Sequence, residues 1–317
     1  MSTVVLGVGA SHSTLMNTHW EQVGRDPGAL AFRAGLDQAR TLLAASAPDA
    51  VVVIGSNHFR GLFLDLMPAV TVGVAECTGA GEAGTPAGRL PVDTDLARHL
   101  VWSLSGAGFD PAFSLRLQVD HGVTHSLQYL LPGLDVPIVP VVLNMFAPPL
   151  MPLARAARLG AVIGDAVRRD RAGKRVAVIG SGGLSHRLPW PKWYAAQSDD
   201  DRFLVSAWLN GRGAWKQYDQ RRRQIVSAAR PDINQAFDLE FLRLLATGDL
   251  APVLGLSNEQ LEERAGNGGQ EIRSWLAMAA AVGGPGRTLA YAPVRPWLTG
   301  MAVAVVQPRP DPPGKEA

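Results

Sequence analysis

The sequence predicts a single α/β domain, a central mixed sheet flanked by helices with a site at the carboxyl ends of its strands. Three observations lead there. Short uninterrupted apolar runs alternate with longer amphipathic ones along the 317 residues, the pattern of buried strands joined by covering helices. Small residues, glycine above all, close several of the apolar runs. Three of the runs lead into a histidine, so one recurring feature spans most of the chain. That favours one domain, although length alone would accommodate two.

The first run, Val4–Val8, leads through "GASHS" to His12. "ALAFRAGLDQARTLLAAS" then repeats apolar residues at helical spacing. The second strand is Val51–Ile54, followed by "GSNHF" with His58, and the third is Val70–Val74. "DTDLARHLVWSLSGAG" reads as a helix that ends on glycine. The fourth strand is Ile138–Leu143, and "LARAARLGAVIGDAVRRD" is the next helix. The fifth strand, Val176–Ile179, runs into "GSGGLSH" with His186. From about residue 190 to 264 strands give way to helices, and Ser257 with Gln260 three residues on forms a capping-box pattern. "AGNGGQEIRSWLAMAAAVGG" enters a helix through a glycine loop, with Glu271 just inside it; Met301–Val306 is the last strand. The domain is expected to span 1–307. The remaining "PRPDPPGKEA", 308–317, is proline-rich and charged and reads as a disordered tail.

Composition narrows the classes. The chain is 47% hydrophobic and 18% charged, with a net charge of only +2. The one dense basic run, Arg221-Arg222-Arg223, reads as a solvated helical face, so neither nucleic acid nor a membrane surface is an expected partner. A single cysteine, Cys77, allows no internal disulfide and fits a reducing cytoplasm. The first residues lack the basic and apolar regions of a signal peptide. No apolar run approaches the roughly 20 residues of a membrane span.

Of seven histidines, His12, His58 and His186 share the order strand, small residues, histidine. In an open α/β sheet such loops gather at one edge, where ligands bind. His121 and His125 in "QVDHGVTHSL" are four residues apart, close enough on a helix to form a metal pair, and Asp120 could orient an imidazole. His99, within an amphipathic helix, reads as structural, and His19 beside Trp20 carries no clear signal. Two histidines and a carboxylate suit non-haem iron(II). Glu240 in "FDLEFLRLL" and Glu271 both compete for the carboxylate place, and a first-turn position with a favourable helix dipole favours Glu271.

With these residues in view, the chain resembles the class III, LigB-type extradiol ring-cleavage dioxygenases. "SHSTL", "NHFRGLFLDLMPAVTVGV", "QVDHGVTHSLQYLL", "GSGGLSH", "FDLEFLRLL" and "AGNGGQEIRSWLAMAAA" occur in that family's order and cover nearly the whole chain. The resemblance implies that His12, His58 and Glu271 bind Fe(2+), and that His121 and His186 are an acid/base pair beside the metal. It assigns nothing to His125. It also implies a substituted catechol and O2 as the reacting partners, in a homo-oligomer. A catechol acid would need a cation for its tail; Arg60, Arg187 and Lys192 lie near the histidines in sequence, and Trp190 and Trp193 could wall an aromatic pocket. Two rival readings remain. A serine hydrolase would use Ser181 or Ser185, but "GSGG" is not a nucleophile-elbow sequence. A non-catalytic relative could keep the fold as a binding module, against which stands the retention of all five site residues.

Overall fold

Nine strands order the chain in a computed structural model that describes residues 1–309. They are β1 (Thr3–Ala10), β2 (Ala50–Ser56), β3 (Val70–Ala80), β4 (Ala87–Leu90), β5 (Ala112–Val119), β6 (Ile138–Leu143), β7 (Arg175–Ser181), β8 (Gly286–Val294) and β9 (Thr299–Val306). They form one mixed sheet in the order β4-β3-β6-β2-β7-β1-β9-β8, with β5 also paired to β3. The central strands β6, β2, β7 and β1 run parallel, and β9 and β3 flank them antiparallel.

The parallel strands read as continuous apolar runs because both their faces are covered. Val52 and Ile54 of β2 point into one core with Trp275 and Leu276, whereas Val51 and Val53 point into the other with Phe32 and Leu36. Val176 and Val178 of β7 divide from Ala177 and Ile179 in the same way. That is the period of two expected of a strand. The helices Leu153–Arg169 and Ile272–Val282 cover the first face; Pro27–Ala45 and His121–Leu130 cover the second. Each large aliphatic side chain so buried contributes about 1.5–3 kcal/mol relative to exposure.

All six strands expected from sequence form. Three further strands, β4, β5 and β8, are found only in the structure. They carry weak signals for a physical reason. They lie towards the sheet margins, are largely exposed, and β8 contains Pro293, so nothing demands a solid apolar run. Between 190 and 264 there are only helices, and the Ser257–Gln260 capping box forms with both of its hydrogen bonds. Among the described residues no helix is long and apolar enough to cross a membrane. The tail expected at 308–317 lies, from residue 310 onward, outside the described residues.

Candidate active site

β1, β7 and β2 are neighbours and parallel, so their carboxyl ends open at one edge of the sheet. His12 follows β1 by two residues, His58 follows β2 by two, and His186 follows β7 by five. The glycine loop and Glu271 arrive at the same edge, where Glu271 closes a short 3-10 turn and precedes the helix Ile272–Val282. His121 starts its helix immediately after β5 and Asp120. All five side chains are buried and line one cavity of about 290 Å³.

Two imidazoles and one carboxylate converge. His12 Nε2 lies 3.3 Å and His58 Nε2 3.5 Å from the same oxygen, Glu271 Oε1. The far nitrogens are occupied: His12 Nδ1 is 3.0 Å from Ser181 Oγ, and His58 Nδ1 is 3.4 Å from Asp120 Oδ1. Asp120 also accepts from the His58 main-chain N–H at 2.6 Å. His12 Nε2 itself is buried with no hydrogen-bond partner. Burial pushes the His58 imidazole down to about 3, against the pull of Glu271. Burial would raise the Glu271 carboxyl, but His12 and then His58 hold it well below the ordinary glutamate range. An ionised carboxylate facing imidazole nitrogens whose other sides are already bonded is a donor set shaped for a cation, with the outer partners that orient ligating histidines.

Glu271 is not held as its position suggests. Its own helix makes no side-chain cap with it. Instead it accepts from the Gly183 N–H at 2.8 Å and from the Ser56 hydroxyl. Glu240 lies elsewhere, half-exposed and paired with Arg264 at 2.7 Å.

His121 lies against His58 with ring centroids 3.8 Å apart and the rings tilted by 34°. Its Nδ1–H donates to Glu82 Oε1 at 2.8 Å, and its main-chain N–H donates to the same oxygen at 2.6 Å. Burial and then His58 push the imidazole down to about 4, with Glu82 pulling the other way. Asp120, expected to orient His121, serves His58 and caps the helix through Gly122. His186 Nδ1–H donates to the Leu184 carbonyl at 3.0 Å, and burial lowers its pKa. A methyl group on Gly268 would stand 2.1 Å from His186 Nε2, and one on Gly182 would stand 2.6 Å from the Glu271 Cβ. Only glycine lets the two loops close on these side chains.

The remaining candidates separate. His125 is buried against Tyr129, lies outside the cavity lining, and among the described residues belongs to no group of three ligand atoms close enough to share a metal. His99 bonds the Ala166 carbonyl and does not line the cavity; His19 stands at its wall beside Thr18. Ser181 is fully buried between His12 and Ser126, and Ser185 is tied to Asp238; neither lines the cavity, which removes both as nucleophiles. Arg187 pairs with Asp232 on the surface, and Trp193 is exposed, whereas Arg60 and Trp190 line the cavity; Lys192 does not. The basic run requires a correction. Arg221 and Arg223 are exposed, Arg223 at the cavity's rim and paired with Asp219, but Arg222 is buried in the cavity wall, donating to the His58 carbonyl at 3.2 Å. Within a helix, successive residues point about 100° apart, so three consecutive arginines cannot share one face.

Glu82, Asp120's grip on His58, and Arg222 escaped the sequence reading. For Glu82 the one available signal was a lone acid inside the glycine-rich loop "GAGEAG". Strain marks the site too. Of five non-glycine residues with positive φ among the described residues, Ala83 and Leu298 line the cavity and Phe59 follows His58.

The family model described as the catalytic LigB subunit of aromatic ring-opening dioxygenase matches residues 7–301. A protein of Cupriavidus necator named 2,3-dihydroxyphenylpropionate/2,3-dihydroxicinnamic acid 1,2-dioxygenase is 37% identical over 284 residues, 85% of this chain and 88% of its own. One of the same name from a Rhodococcus species is 34% identical over 309 residues, covering 92% and 95%. Among solved structures, an uncharacterised protein of Escherichia coli K12, JW3007, superposes with a TM-score of 0.54 at 15% identity over 95% of this chain and 99% of its own, which shows a shared fold.

Proposed function

The chain belongs to the LigB family, the catalytic subunits of aromatic ring-opening dioxygenases, and on that premise we propose that it is an extradiol dioxygenase that opens the ring of a substituted catechol with O2. In this reading His12, His58 and Glu271 hold iron(II). The observation that carries it is the convergence of two buried imidazole Nε2 atoms on one oxygen of Glu271. Two histidines and a carboxylate leave positions open for substrate and oxygen. When bound, the metal supplies the Lewis acidity and redox chemistry that join an ionised diol to dioxygen. The reading includes a catalytic domain over 1–307, a cytoplasmic setting and a homo-oligomeric assembly.

The protein's own residues then handle protons. With Nδ1–H committed to a carbonyl, His186 presents an Nε2 lone pair and takes a phenolic proton. Of His186 and His121, it is His121 that has a carboxylate behind its ring, the arrangement that stabilises an imidazolium. Burial keeps that ring neutral until negative charge enters the cavity, as an ionised diol does; His121 then serves as the proton donor. Such groups contribute about 10²–10⁴-fold each.

Anaerobic reconstitution with iron(II) is expected to give one iron per chain, and oxygen uptake only with vicinal diols, yielding a yellow ring-fission acid. Bound zinc with no oxygen uptake after that reconstitution would falsify the reading. A second expectation concerns Glu82. Glu82, Asp120 and His121 also bring three ligand atoms within 4.8 Å of one another. Glu82→Gln is expected to keep the metal and lower kcat by about 10²-fold, the lower end for a general acid. Loss of iron in that variant would move the metal to this second cluster.

A further inference from the structure

Arginine is almost never fully buried unless paired. Arg222 breaks that rule. It lines the cavity at 8% exposure. Its hydrogen bond goes to a neutral carbonyl, that of His58, and its Nε has no partner. Asp219, three residues earlier on the same helix, turns its oxygens elsewhere: one to Arg60 at 2.7 Å and the other to Arg223 at 2.7 Å. Asp219 therefore pairs with two guanidinium groups, those of Arg60 and Arg223, and Arg222 has no carboxylate of its own in contact. Burial, and Arg60 beside it, push Arg222 down to about 9.

We propose that Arg222 binds a carboxylate on the side chain of the catechol and selects acid-bearing catechols over neutral ones. The proposal rests on the dioxygenase reading for the ring and adds the tail. A carboxylate presents two oxygens in a plane, which matches the guanidinium fork. Arg222 lies 5.5 Å over the ring of Trp190 and touches the main chain of His58. Trp190, itself 5.7 Å from the His58 ring, gives such a tail an aromatic wall to lie against. Arg60 is the weaker candidate, because its charge is already met by Asp219 and its guanidinium stacks on Trp215 at 4.5 Å.

The test separates tail from ring. Titration calorimetry on the metal-free protein would compare 3-phenylpropionate with 3-phenylpropanamide, neither of which has a diol. The wild type is expected to bind the acid about 10- to 100-fold more tightly, the range for hydrogen bonds to a charged group. Arg222→Gln should abolish that preference, and Arg222→Lys should keep part of it, since an ammonium retains charge without the fork. Equal affinities in the wild type, no binding of either compound, or a preference that survives Arg222→Gln overturns the proposal. If Arg222→Gln does not fold by circular dichroism, an undiminished preference in Arg222→Lys overturns it instead. In a second arm, oxygen uptake by the iron-loaded enzyme compares 3-(2,3-dihydroxyphenyl)propionate with 3-propylcatechol. The acid-to-neutral ratio of kcat/KM should fall at least about tenfold in Arg222→Gln; an equal fall for both substrates assigns Arg222 a purely structural role. No uptake with either substrate in the wild type counts against the dioxygenase reading, and calorimetry still decides the carboxylate site.

Discussion

Glu271→Gln is expected to empty the metal site and abolish turnover while the fold survives. The amide is nearly isosteric and can still accept from the Gly183 N–H. It has no negative charge to set against a divalent cation, and it is a poorer donor to a hard one. Loss of a mere outer partner typically costs about 10–100-fold in metal affinity or activity, so loss of the only anion in the donor set should exceed that. The natural control is Glu240→Gln. Glu240 is 44% exposed in its side chain and paired at the surface with Arg264, and such a pair contributes about 0–1 kcal/mol. Metal analysis and circular dichroism on both variants decide the matter. Iron lost from Glu240→Gln but retained by Glu271→Gln would reverse the assignment.

His186→Ala and His121→Ala are expected to keep iron and lose about 10²–10⁴-fold in kcat, the usual contribution of a proton-transfer group. The two should differ in stability. His186 donates only to a carbonyl, whereas His121 satisfies Glu82, whose other oxygen is buried without a partner. Removing His121 leaves a buried carboxylate that has lost its imidazole donor, at a cost of about 1–3 kcal/mol or more. Denaturant unfolding of the two apo variants should therefore show His121→Ala as the weaker fold. Metal content tests the alternative geometry. Ligand atoms of His12, His58 and His121 also lie within 4.8 Å of one another. If His121→Ala loses its iron, that three-histidine set holds the metal and His121 is no acid.

What the sequence by itself determined was whatever repeats locally. β1, β2, β6 and β7 are legible because strands covered on both faces need apolar residues at every position. The helices Thr94–Gly106 and Leu153–Arg169 are legible because one covered face imposes a helical period. The strand, small residues, histidine order is enough to bring His12, His58 and His186 to one edge, since parallel neighbours must end together. Tertiary structure alone decided the rest. Glu240 and Glu271 are both glutamates in helical sequence; a first-turn position favours Glu271, but that it is buried against His12 and His58 while Glu240 pairs at the surface is seen only in the fold. Arg222 looks like its two neighbours until the helix Lys216–Ser227 docks and turns it inward. Glu82 meets His121 across 39 positions, and Asp120 meets His58 across 62. Those pairings follow from the order of strands in the sheet. Periodicity and composition report which residues avoid water, not which distant loops the folded sheet brings side by side.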